Sequence, residues 1–159
     1  MNKLISIISK FATNWILILY IVYLGIMKFT NIHIPLFITN FIISAVMTTS
    51  IYGSILMQSN YQFIQNKFPT VYPYVTLLDI LFHYIPFIMI IKNKQTYQDK
   101  STKKTDTDTS KIKSIILLFI FLILYIFSIK DVSKIYFGVN DKKLISTAIA
   151  IFTVTLYTI

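Results

Sequence analysis

Residues 72–91 read YPYVTLLDILFHYIPFIMII, and the reading of this stretch decides the class of protein. At about 1.5 Å per residue it makes a helix of about 30 Å, the thickness of a bilayer's hydrocarbon core. Asp79 and His83 interrupt it near the middle. They stand four residues apart, one helical turn, and therefore on one side. Placing a charge at membrane depth costs on the order of 2.5–3.5 kcal/mol even on lenient insertion scales, so the pair requires compensation. Thr76 falls on the same side. Pro86 cannot donate to the carbonyl of Phe82, so a kink and a freed carbonyl are expected beside the pair.

The rest of the chain supports a membrane setting. Of its 159 residues, 55% are hydrophobic and 13% charged, about half the charged share of an ordinary soluble domain. Cysteine is absent, which excludes disulfides, thiolate chemistry and Cys-ligated metals. Every basic residue is Lys and every acidic residue Asp. Without Arg the bidentate fork for phosphate is missing. The net charge of +9 flanks apolar spans and does not interleave with aromatics, which fits a membrane surface and not a nucleic acid.

Working outward, residues 1–12 form a short amphipathic lead-in suited to the interface, with no small-residue cleavage site after it. A first span is expected over 15–27, with Trp15 and Tyr23 suited to the interfacial belts. A second, over 35–57, starts at Pro35, a favoured first-turn proline. It carries Asn40, Ser44 and Thr48 at successive turns. Beside them Ala45, Thr49 and Gly53 form a small-residue stripe that lets two membrane helices approach closely. A polar loop covers 58–70, and the third span is the 72–91 stretch.

Residues 92–113 are rich in Lys, Thr, Ser and Asp, so a disordered linker is expected, its lysines near anionic lipid headgroups. A fourth span follows over 115–129 and a last over 144–159. The fold class expected is all-α: a polytopic bundle of five transmembrane helices, or four if the last lies at the interface. The second, third and fifth spans are expected to pack together, with the fourth outermost. The positive-inside rule tips the 92–113 loop to the cytoplasmic side.

Candidate sites are few. Asp79 and His83 are expected either to satisfy each other and bond Asn40, Ser44 or Thr48, or to line a proton or solute path. A third reading takes His83 as a base oriented by Asp79 in a lipid-modifying enzyme. No phosphate loop, G-x-S-x-G or H-E-x-x-H motif occurs, so no catalytic set is assigned. His33 is the one other histidine, too little for a metal site, and no cofactor is expected. The leading expectation is a non-enzymatic membrane component of a larger complex or homo-oligomer.

Overall fold

A computed structural model describes residues 11–30, 32–67, 69–70, 72–100, 107–129, 136 and 140–158. The expected lead-in falls almost wholly outside them. The described chain is helical and contains no strand. Helix α1 is Ala12–Phe29, α2 is Leu36–Ser59, and α3 is the short Tyr61–Lys67, inside the segment expected to be a polar loop. Four consecutive segments, Tyr72–Tyr74, Val75–Asp79, Ile80–Tyr84 and Ile85–Lys100, follow without a break and together form α4. Helices α5, Thr107–Ser128, and α6, Asp141–Thr158, complete the bundle.

Among the described residues, four helices are long and apolar enough to cross a membrane: α1, α2, the Tyr72–Asn93 part of α4, and α5. The last helix, α6, is not among them, because Asp141, Lys142 and Lys143 occupy its first turn. Its apolar remainder packs on α2 all the same.

Helix α2 is the axis. It packs against α1, α4, α5 and α6, and 56% of its span is buried, against 22% of α1 and α5 and 28% of α4. That corrects two expectations. The fourth span, α5, is no further out than α1; Ser114 Oγ donates to the carbonyl of Phe37 at 2.8 Å, and Phe121 packs by Phe41. The third and fifth spans each meet α2, with no comparable contact between them. Sequence hydropathy ranks α5 as most apolar, but it cannot choose which apolar helix the bundle covers. The outward sides of α1, α4 and α5 carry Ile, Leu and Phe, the surface a bilayer demands.

The linker expected from Lys92 is also corrected. Helix α4 runs on to Lys100, and α5 begins at Thr107. Tyr97 explains the extension: it is buried, its hydroxyl lies 2.9 Å from that of Tyr20, and its ring meets Tyr23 edge-on at 5.8 Å. A polar composition yields a helix here because one buried aromatic anchors it to α1. Residues 101–106 lie outside the described residues.

Contacts at two levels fix the register of α4 along α2. His83 packs on Gly53. Farther along, Tyr97 meets Tyr23, whose hydroxyl donates to Thr39 Oγ1 at 3.5 Å. Helix α4 thus runs antiparallel to α2, meeting it directly at Gly53 and, through Tyr23 of α1, near Thr39.

Candidate functional site

Within α4 the backbone widens at Ile80–Tyr84 into a π turn, where the Ile85 N–H donates to the carbonyl of Ile80, five residues back. Pro86 follows directly and has no N–H to return an ordinary helical bond. Extra-residue turns of this kind are common at functional sites. The turn keeps Asp79 and His83 on the inner side, both buried, with Pro86 buried one turn beyond.

The pair closes on itself. His83 Nδ1 and Asp79 Oδ1 are 2.7 Å apart and share one hydrogen. The second carboxylate oxygen, Oδ2, accepts from Ser54 Oγ at 3.1 Å. Gln58 Nε2 in turn donates to Ser54 Oγ at 3.3 Å and to the hydroxyl of Tyr84 at 3.2 Å. The row therefore runs from Gln58 and Tyr84, both exposed, through half-buried Ser54 to Asp79 and His83, both buried.

Gly53 sets how close the two helices come. A Cβ there would lie within contact of His83 Nε2 and 2.8 Å from its Cδ2. The imidazole thus occupies the space a side chain would take. Gly53 belongs to the small-residue stripe, and its Cα lies against the His83 ring of α4. Thr49 Oγ1 bonds the carbonyl of Ala45 at 3.0 Å within its own helix.

Asn40, Ser44 and Thr48 are all buried, but they do not meet the acid–imidazole pair. Thr48 Oγ1 donates to the carbonyl of Ser44 at 2.7 Å, and Thr155 Oγ1 of α6 reaches the same carbonyl at 3.4 Å. Ser44 lies about 15 Å along the helix from Ser54, too far for Asp79 to reach. Ser44 and Thr48 lie beside α6, and the bond from α2 to Asp79 comes from Ser54 instead. Thr76 is exposed and stands apart from the pair. His33 is exposed in the segment between α1 and α2.

Ser54 and Gln58 are legible in the sequence as a one-turn polar pair on α2. The longer run of Asn40, Ser44 and Thr48 outweighs that signal. A second buried cluster, Tyr20, Tyr23, Tyr97 and Thr39, carries no signal in the sequence beyond its aromatics.

The chemistry open to this arrangement is limited. In a hydrolytic triad the serine bonds the imidazole nitrogen remote from the acid. Here Ser54 and His83 bond the same carboxylate, and Nε2 is turned to Gly53. A partly open cavity of about 80 Å³ also borders Gly53, among Thr48, Tyr52, Tyr125, Tyr136 and Leu144, and is lined by neither Asp79 nor His83. No group of three or more metal-ligating side chains occurs among the described residues.

Fold and site together define an all-α bundle, with helices of membrane-crossing length and a buried acid–imidazole pair at one level. Compared with known protein families, curated proteins and solved structures, the chain matches none.

Proposed function

We propose that this chain is a multi-pass integral membrane protein without catalysis of its own, serving as a structural or assembly component of a larger membrane complex. In this reading the Asp79–His83–Ser54 cluster is a lock between α2 and α4. The observation that carries it is closure: both carboxylate oxygens are occupied and the imidazole edge is filled by Gly53. A buried carboxylate with both oxygens bonded holds a helix pair together, whereas an unmet one costs several kcal/mol in hydrocarbon. The lipid bilayer is the first partner, with the lysines around 92–113 suited to anionic headgroups.

The test has two parts. Retention in alkali-stripped membranes checks that the chain spans the bilayer. Asp79→Asn and His83→Ala should then lower folded abundance while ion flux in proteoliposomes stays at background for wild type and variants alike.

One observation favours a second reading, a proton path. The row Gln58–Ser54–Asp79–His83 joins an exposed surface to a buried imidazole, the form a relay takes. A pH-dependent conductance in wild type that both variants abolish would establish it and overturn the lock.

A further inference from the structure

The partly open cavity bordering Gly53 has no part in the acid–imidazole cluster, and its lining indicates what fills it. It reaches along α2 from Leu56 to Thr48, about 12 Å, and encloses about 80 Å³. Helices α1, α2, α5 and α6 all contribute to its wall. Of the described residues lining it, Ile126 alone is exposed. Ile126 belongs to the membrane-crossing stretch Asp108–Ser128 of α5. The mouth therefore lies on the side of a span, just inside its end, where a bilayer presents acyl chains.

Water is a poor occupant, because a buried water needs about two to four polar partners. Four hydroxyls of the wall are already engaged. Thr48 and Thr49 donate to the carbonyls of Ser44 and Ala45. Tyr125 donates to the hydroxyl of Tyr136, which also accepts from the Ala12 N–H. A void lined in this way forfeits dispersion contact unless carbon fills it. At roughly 30 Å³ each, the share a water takes in the liquid, about three methylene-sized groups fit.

Helix α6 indicates the rest of the occupant. Its first turn carries exposed Asp141, Lys142 and Lys143, with one net positive charge, and Leu144 and Ile145 line the cavity directly after. Charged and apolar surface thus meet within one turn, the complement of an amphiphile with an anionic group in its head. We propose that the cavity holds part of one acyl chain of a phospholipid, whose phosphate lies level with Lys142 and Lys143. The proposal rests on the membrane-protein reading above. It adds a bound lipid at the end of the bundle opposite Lys28 and Lys113.

The test follows the fluorescence of Trp15, whose ring stands 5.6 Å from that of Tyr125 in the cavity wall. The full chain in detergent micelles is titrated with phosphatidylcholine brominated on its acyl chains. Quenching should saturate at equimolar lipid, and unbrominated phosphatidylcholine should reverse it. The midpoint should shift at least about tenfold to weaker binding for brominated diacylglycerol, which lacks the phosphate, and for Lys142→Gln combined with Lys143→Gln. Saturable quenching should vanish in Ala148→Leu, whose added carbons occupy the void. Quenching that only tracks the ratio of lipid to detergent overturns the proposal. So does equal saturation by diacylglycerol, which would assign the cavity to a ligand without a phosphate, or an unchanged midpoint in the lysine variant. Full quenching of Ala148→Leu with the wild-type unfolding midpoint overturns it too. If Ala148→Leu does not fold, the lysine variant, altered only on an exposed turn, decides. Release of the chain from membranes by alkali would sink the membrane reading and the lipid site together. Membrane retention without saturable quenching sinks the site alone.

Discussion

Replacing Gly53 by Ala adds one carbon where the imidazole of His83 already lies. The new Cβ would stand 2.8 Å from Cδ2 and in closer contact with Nε2. The ring cannot swing aside freely, since its other nitrogen is held 2.7 Å from Asp79. Either that bond breaks or α2 and α4 separate. Overpacking of this kind costs about 1–3 kcal/mol, while Ala in place of Gly returns roughly 0.5–1 kcal/mol of helix propensity. The net expectation is a destabilisation of about 1–2 kcal/mol. The assay is unfolding in mixed micelles, followed by the fluorescence of Trp15, the sole tryptophan, whose ring meets Tyr125 of α5 edge-on at 5.6 Å. A double-mutant cycle sharpens it, because His83→Ala removes the ring that the added methyl group would strike. The double variant should then be less destabilised than the sum of the single variants by about 1 kcal/mol or more. A neutral or stabilising Gly53→Ala that adds to His83→Ala without coupling would refute the close-approach argument.

Further predictions concern other contacts. Ser54→Ala removes one of the two bonds to Asp79 and should cost about 0.6 kcal/mol, at most about 1.7, on the scale of interhelical bonds in membranes; no change in the unfolding midpoint would remove Ser54 from the lock. Tyr97→Ala removes a buried ring and should cost about 3–5 kcal/mol. Amide exchange should rise selectively over 92–100, and unchanged protection there would show that the helix does not depend on this anchor. Tyr136→Phe removes the hydroxyl that accepts from the Ala12 N–H at 2.8 Å. Leaving that donor unmet should cost about 1–3 kcal/mol and speed exchange at Ala12; exchange as slow as in wild type would count against it. Thr155→Val removes a bond from α6 to the Ser44 carbonyl that is already long, so a loss below about 1 kcal/mol is expected, and a larger one would mean α6 docking depends on it.

What is local follows from the amino-acid order alone. Apolar runs of spanning length, a favoured proline at the start of α2, and an acid and an imidazole one turn apart are features of a single helix. Their consequences hold whatever that helix packs against. Asp79 and His83 would meet across one turn in any surroundings, and they do so at 2.7 Å.

Packing between helices settles the rest. Which side of α2 faces α4 depends on its azimuth among four neighbours, and two polar rows compete for it. Ser44 and Thr48 go to α6, while Gly53 and Ser54 meet the pair because glycine alone admits the imidazole. The extension of α4 to Lys100 hangs on Tyr97 finding Tyr20 and Tyr23. Helical periodicity repeats every turn and so encodes sides, whereas register is set by which knob fits which gap. That is why the stretch 72–91 foretells the Asp79–His83 contact but not that Gly53 and Ser54 of α2 would meet it.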